Sequence, residues 1–471
     1  MFPFFIFSLS INSYLAAIIM SNDNRIIFAP ASQVGESGIT VVRLSGLGTI
    51  ELISNCFSRT YAINKISAAD FKSHTAYHGY LFDGDEIIDE AVLTVFRGPN
   101  SYTGEDVAEI STHGGSFIYR RVDELLVKLG AFHAEPGEFS KRAYLNGKMD
   151  LAQAEAVADL ISAKTAEANK LALAQLTGKF SGKIKELKED LINYCSLLEL
   201  ELDFSEEGID LVEKDVLLER VNMLIGKFES LTRSYESGKI IKEGVNLAII
   251  GKPNVGKSSI FNYLLDDNRA IVSDIPGTTR DYLQEPLIMG GIRFNIVDTA
   301  GLRKTTDVVE NEGVRRSMLK IEEADVILHV RDLTSKESYN DNQNLPAEKL
   351  INVGNKSDLA GTLQQEGAQP VSAKTGEGMQ ELEQIIISKA RGLISKNSHS
   401  EIIITNQRHR DCLLKSCEYL VNAREQILSG GGNELISFEI RAAMDSLSEI
   451  IGKTANVDIL NNIFTKFCIG K

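Results

Sequence analysis

The sequence predicts a multidomain protein, α/β plus all-α, in which one α/β domain interrupts a helical domain and a smaller α/β domain precedes both. Three observations carry this. Short β-like runs alternate with glycine turns from Arg25 to about Leu129. Apolar residues take helical spacing from Leu151 to Phe204 and again toward the end of the chain. Between those helical stretches a strand-and-loop texture begins at Gly244 and runs to about Gly392. At 471 residues, with 43% hydrophobic and 24% charged residues, the chain exceeds one core and has an ordinary globular composition.

The expected segments are an extension over 1–20, an N-terminal domain over 21–140, helical segments over 141–243 and 393–471, and the inserted domain over 244–392. In the first domain the runs IIFA, ITVVRLS, AVLTVF and VAEIST read as strands, and Phe117 to Leu129 as its helix. Phe180, Ile184, Leu187, Leu191, Tyr194 and Leu198 step by four and three, as do Leu217, Val221, Leu224, Phe228, Leu231 and Tyr235. The short acidic SEEGID between them makes two long antiparallel helices. The step resumes at Leu413, Ser416, Leu420, Ala423 and Ile427, then at Ile436, Ile440, Ala443, Leu447 and Ile450. Helices on both sides of one domain point to an insertion, which succeeds where two chain ends lie close together.

The first twenty residues, MFPFFIFSLSINSYLAAIIM, are apolar but lack the basic residues of a signal or transit peptide. Translation starting at Met20 is the plainer expectation, and a short membrane segment the other. No later stretch supplies about 20 continuous apolar residues, which excludes a multi-span transporter and predicts no stable membrane association. The five cysteines form no CxxC pair, as in a reducing, cytoplasmic compartment. A net charge of -15 gives no global footprint for nucleic acid, so any RNA contact is local or shared with a partner.

Gly251 to Ser258 reads GKPNVGKS after the apolar strand Val245 to Ile250 and before the apolar helix residues Ile260, Phe261 and Leu264. This is a phosphate loop in its proper context: the N–H groups of Asn254, Val255, Gly256, Lys257, Ser258 and Ser259 wrap phosphates at a helix N-terminus, Lys257 brings a point charge, and Ser258 can ligate Mg2+. PGTTRD follows, with Pro276, Gly277, Thr278 and Thr279, where Thr279 is expected to close on Mg2+. DTAG then ends a strand with Asp298, Thr299, Ala300 and Gly301. Next comes NKSD (Asn355, Lys356, Ser357, Asp358), whose carboxylate can accept from the N1 and N2 donors of guanine, and last the base-cradling SAK (Ser372, Ala373, Lys374). Adenine lacks that donor pair, so a carboxylate left unpaired discriminates for GTP by on the order of a thousandfold. The ordered set predicts a P-loop GTPase domain with a mixed sheet and helices on both faces.

Where Ras-like proteins carry a water-orienting glutamine after DTAG, this chain has Leu302. Other groups must then position water and neutralise charge. Asn254 is one candidate: its carboxamide, with carbonyls of the loop Ile271 to Thr278, suits a bound K+, although a residue that merely braces the loop reads the same. Glu310 is the other, as an activating carboxylate, or else a solvated loop charge.

Arg43 in VVRLSG, SYTGEDVAEISTHGG at Ser101 to Gly115, PGEFSKRAYLNGKMDLAQAEAVADLI at Pro136 to Ile161 and the terminal CIGK resemble the MnmE (TrmE) family of tRNA wobble-uridine modification GTPases. The resemblance runs from about Ile26 to Lys471. It implies a folate-binding and dimerising N-terminal domain that takes a tetrahydrofolate one-carbon unit, as the 5-formyl or 5,10-methylene derivative, with contacts from Arg43, Glu109, Lys148 and Lys471. It also implies an FAD-dependent MnmG-type partner, tRNA as substrate, a homodimer, and K+-dependent pairing of two GTPase domains. On the same resemblance Glu310 becomes the catalytic carboxylate and Asn254, Ser273, Ile275 and Thr278 the K+ ligands. Cys468 reads either as a reactive thiol beside Lys471 or as a small hydrophobe near the chain end. A regulatory GTPase of ribosome assembly is the competing reading, one that would carry a compact basic RNA module.

Overall fold

The computed structural model describes residues 25–62, 64, 66–203, 213–267, 286–298, 322–335, 345–360, 367–395, 402–454 and 456–471. The chain divides into two compact units, one reaching Ala158 and joined by Ile451–Lys471, the other spanning Asp159–Ile450.

The first unit is built on β1 (Ile27–Pro30), β2 (Ile39–Ser45), β3 (Phe57–Ser58), β4 (Thr75–Asp83), β5 (Glu86–Phe96), β6 (Val107–His113) and β7 (Phe132–His133). They form one sheet in the order β3-β4-β5-β6-β2-β1-β7, antiparallel throughout except for the β1 to β7 pair. Period-two alternation sends Val42 and Leu44 of β2 into the core with Leu93, Val95 and Ile110, under Val122, Leu125 and Leu126 of helix α1 (Ser116–Lys128). The same alternation turns Arg43 away from that core, directly opposite Glu109 in the β2 to β6 register. The predicted helix over 117–129 thus lies within one residue of the observed one.

Helix α2 (Glu138–Leu145) and the start of α3 (Leu151–Ser162) complete this unit. Ile451–Lys471 packs in this unit: the helix Val457–Phe464 buries Leu460 and Phe464, with Phe467, against Leu151 and Ala154. A methyl group on Gly137 would stand 2.5 Å from the Phe464 carbonyl, so that approach needs glycine. An apolar stripe announces a helix but does not name its partner.

The second unit holds four long helices, α4 (Lys179–Asp203), α5 (Lys214–Glu243), and, after the inserted domain, α8 (Gln407–Ser429) and α9 (Asn433–Ile450), with α6 (Lys257–Asp267) and α7 (Met379–Ser395) belonging to that insert. The predicted steps are buried: Ile184, Leu187, Leu191 and Leu198 on α4, and Leu217, Val221, Leu224 and Phe228 on α5. Tyr194 is only half-buried, because Cys195 takes the inner position next to it.

Glycine 244 ends α5 and the chain passes directly into β8 (Val245–Ile250). With β9 (Pro286–Met289), β10 (Ile292–Asp298), β11 (Val326–Asp332), β12 (Leu350–Asn355) and β13 (Gln369–Pro370) it makes a sheet ordered β13-β12-β11-β8-β10-β9. Only the β9 to β10 pair is antiparallel, so the sheet is mixed. Leu247, Ile249, Leu328, Val330 and Val353 on one face meet Ile260 and Leu264 of α6 and Leu382, Ile386 and Ala390 of α7. Where the chain leaves this domain it is clipped to α5: Ser237 donates to the Ile394 carbonyl at 2.6 Å, and the Ile404 N–H donates to Ser234 at 3.1 Å. The ends of the insertion therefore meet on one helix, the geometry an inserted domain requires.

Candidate functional site

The phosphate loop leaves the C-terminal end of β8, between β10 and β11, and delivers the chain into α6 at Lys257. A ligand at the carboxyl end of a central parallel strand then faces the unpaired N–H groups of a helix start. Two glycines let the loop wrap so tightly. A methyl on Gly251 (φ 146°) would lie 2.2 Å from the Val330 carbonyl, and one on Gly256 (φ 96°) 2.0 Å from the Asn355 amide nitrogen. Lys257 is nearly buried, its ammonium donating to the Gly251 and Lys252 carbonyls at 2.9 and 2.7 Å. The charge is held inside the loop, at the place phosphate oxygens would occupy.

Among the other loop residues, Val255 buries its side chain in the sheet core, leaving only its backbone for a ligand. Ser258 and Ser259 are exposed on the first turn of α6. Asn254 is exposed and sits at φ 63°, the left-handed region that asparagine tolerates better than most residues. Backbone geometry alone thus gives a reason for asparagine there, beside its expected role toward K+.

The base-reading loops converge on the same edge. Asn355, 3% exposed at the end of β12, donates from its amide to the Val255 carbonyl at 2.8 Å and accepts from the Ala373 N–H at 3.1 Å. Both ends of its amide are engaged within the protein, tying the phosphate loop to the SAK loop. Asp358 is exposed, and one of its oxygens accepts from the buried Ser372 hydroxyl at 2.7 Å. The exposure of the side chain leaves the carboxylate open to a ligand, as a guanine reader needs. Ser372 also accepts from the Thr375 N–H at 3.2 Å, which fixes the turn that carries the exposed Lys374.

Asp298 closes β10 in register with Ile249 of β8. Ser273, Asp274, Ile275, Pro276, Gly277, Thr278, Thr279, Thr299, Ala300, Gly301, Leu302 and Glu310 lie outside the described residues.

A second polar site occupies the first unit. Arg43 directs Nε and a terminal nitrogen to one oxygen of Glu109, both at 2.9 Å, and its other terminal nitrogen to the Gly470 carbonyl at 3.5 Å. Its guanidinium lies 5.2 Å from the centre of the Tyr102 ring. Lys148 donates to the Pro99 carbonyl at 2.9 Å, on the loop that carries Tyr102. Gly470 is wedged against β1, where a methyl would stand 2.1 Å from the Pro30 carbonyl, and Cys468 is exposed on that terminal turn. Arg43, Glu109 and the terminal turn are therefore adjacent, with Lys148 anchored on the neighbouring loop. Because Glu109 already compensates Arg43, an added carboxylate would find its net positive charge on Lys148 and Lys471.

Beneath this site lies a network that sequence reasoning missed. Arg142, 2% exposed, donates to Glu105 at 3.1 Å, to Glu138 at 2.9 Å and to the Arg25 carbonyl at 3.1 Å, and Ser45 donates to Glu105 at 2.7 Å. Burial opposes the charge on Arg142, yet the two carboxylates outweigh it and raise its pKa. Its only trace in the sequence is the i,i+4 spacing of Glu138 and Arg142, which on most helices marks a solvated pair. Among the described residues there is no cluster of His, Cys, Asp and Glu that would hold a metal, and no helix long and apolar enough to cross a membrane.

A phosphate loop at a central strand, a carboxylate reader on an NKSD loop and an SAK loop joined to both define a P-loop protein of the guanine-nucleotide-binding class. The family model for the MnmE helical domain matches residues 151–468, and that for the GTP-binding protein TrmE N-terminus matches 26–148. The chain is 40% identical over 462 residues to a tRNA modification GTPase MnmE of Chlorobaculum tepidum, covering 94% of this chain and 97% of the relative. It is 42% identical over 452 residues to the protein of that name from Thermoanaerobacter pseudethanolicus, covering 93% and 97%. The chain belongs to the MnmE family of tRNA modification GTPases.

Proposed function

We propose that this protein hydrolyses GTP in the cytoplasm and couples the hydrolysis to modification of the wobble uridine of tRNA. It would act as a homodimer with an FAD-dependent MnmG-type partner, adding a 5-carboxymethylaminomethyl-type substituent from a tetrahydrofolate one-carbon unit. The observation that carries the reading is the Asn355 bridge, which sets the guanine reader and the phosphate loop as one site. Full-length likeness to the MnmE relatives supports the tRNA side.

In binding, Lys257 exchanges the Gly251 and Lys252 carbonyls for phosphate oxygens, and Asp358 accepts from the base. Ser258, an exposed hydroxyl on the first helical turn, fits Mg2+, a hard cation that prefers oxygen ligands, and Thr279 would complete its protein ligands. Asn254, exposed on the loop, fits K+ through its amide oxygen, with Ser273, Ile275 and Thr278. These cations would neutralise charge developing on the phosphates. Glu310 takes the place of the missing water-directing glutamine, acting through a bridging water. Arg43, Glu109, Lys148 and Lys471 would hold the folate, and Cys468 stands on the same terminal turn.

GTP turnover by the purified protein is expected to run much faster in KCl than in NaCl. Glu310→Gln should lower turnover on the order of a hundredfold while GTP binding stays near its original strength. Equal rates in the two salts would remove Asn254 from its role, and an unimpaired Glu310→Gln enzyme would remove the carboxylate. On the folate side, calorimetric titration with 5-formyltetrahydrofolate should show Arg43→Ala weakening binding about tenfold, as for loss of one charge-assisted contact. Wild-type affinity in that variant would detach Arg43 from the folate. Mass analysis of tRNA nucleosides from a deletion strain tests the whole, since unaltered wobble uridine modification in that strain is incompatible with the proposal.

A further inference from the structure

The carboxyl end of β11 carries a device that the nucleotide motifs do not include. Asp332 stands beside Asn355 in the β11 to β12 register, and the Leu333 N–H donates to the Asn355 carbonyl at 3.0 Å. One oxygen of Asp332 is held twice by Thr334, from its N–H at 2.9 Å and its hydroxyl at 2.6 Å. The other oxygen accepts from the Lys356 ammonium at 2.5 Å. With Thr334 fixing its rotation, the carboxylate presents its second oxygen in one direction only.

Lys356 is an unusual residue to find so tethered. Its backbone is left-handed, at φ 66°, a conformation disfavoured for a residue with a long side chain. It falls between Asn355, which bridges the phosphate loop and the SAK loop, and the exposed Asp358, the proposed reader of the base edge. A base bound by Asp358 and joined to phosphates on the P-loop passes beside Lys356. The methylene stem offers apolar surface to a flat ring only if its head is anchored elsewhere, and at 33% side-chain exposure the stem is not packed away. Burial alone would raise the Asp332 pKa, but the bonds from Lys356 and Thr334 outweigh it and hold the carboxyl below its ordinary value, so the anchor is charged at neutral pH.

We propose that Asp332, locked by Thr334, is a positioning residue that draws the Lys356 side chain alongside the guanine ring and thereby sets how long the nucleotide stays bound. This rests on the guanine-nucleotide reading and adds to it a group outside the NKSD and SAK loops. It acts on the face of the ring, whereas Asp358 reads its edge. Base discrimination and residence time are then controlled by separate carboxylates.

The test uses the full-length protein and fluorescently labelled GDP in stopped flow, with unlabelled GDP and inosine diphosphate, which lacks the 2-amino group, as competitors. Asp332→Asn is expected to weaken GDP and inosine diphosphate by the same factor, about tenfold, mainly through faster release. In a Lys356→Ala background, Asp332→Ala should add less than about twofold, because the two act as one unit. Thr334→Val, which removes only the hydroxyl, should cost about twofold to threefold and carries the test if the Asp332 variants fail to fold by circular dichroism. Unchanged release, a loss confined to GDP, or full additivity with Lys356→Ala would each overturn the inference. Failure of the wild-type protein to bind GDP at all would instead overturn the guanine-nucleotide reading, and this inference with it.

Discussion

Replacing Asp358 with asparagine is expected to weaken GTP binding on the order of a hundredfold to a thousandfold and to raise binding of xanthosine triphosphate to a comparable strength. The direction follows from the Ser372 hydroxyl. It donates to one oxygen of Asp358, so an asparagine there keeps its carbonyl on that side and turns its NH2 group outward. Guanine would then present its 2-amino donors to another donor. Xanthine carries an oxygen at that position and accepts the bond, while its N1–H still finds the amide oxygen. Competition binding with the two triphosphates reads the outcome, and a variant that keeps the preference for GTP would mean that Asp358 does not meet the base edge.

The second large effect is expected at Gly256. An added methyl would stand 2.0 Å from the Asn355 amide nitrogen, and the backbone there is at φ 96°, where side chains are strained whatever the space. Asn355 cannot retreat without giving up the Val255 carbonyl, the Ala373 N–H, or both. Gly256→Ala should therefore cost GDP affinity at least about a hundredfold, combining local strain with a lost buried hydrogen bond. Asn355→Ala, which breaks the same tie but leaves the loop its glycine, should cost less. Thermal unfolding with and without GDP gives a clean reading: a ligand at 100 times its dissociation constant stabilises by about 2.7 kcal/mol, so the wild-type midpoint rises and the Gly256→Ala midpoint should not. A normal GDP-induced rise in that variant would show that the loop tolerates the methyl and that the Asn355 bridge is dispensable.

The nucleotide loops were legible because each motif sits at a junction that periodicity reveals, GKPNVGKS between an apolar strand and an apolar helix, and NKSD at the end of LINVG. The long helices were legible for a similar reason, since the steps of Leu217, Val221 and Leu224 state which face is buried. What stayed hidden depends on partners far apart in the chain. Asp332 looks like any acidic residue after a strand until β11 and β12 are set side by side, and Arg142 reads as a solvated helix charge until Glu105 reaches it from a loop 37 positions away. The stripe on Val457–Phe464 likewise carried no sign of the face it covers. Local pattern gives the element and its inner side, and long-range pairing decides whom that side meets. Of the second polar site, the opposition of Arg43 and Glu109 follows from strand alternation and antiparallel register once β2 and β6 are known to be neighbours, which the sequence does not say.

The contact from Arg43 to Gly470 spans 427 positions. A nascent chain therefore exposes one wall of that site early in synthesis and acquires the opposing wall only after the nucleotide domain has left the ribosome. Completion is in this way ordered in time: the segments that carry the nucleotide motifs emerge before the terminal turn that meets Arg43.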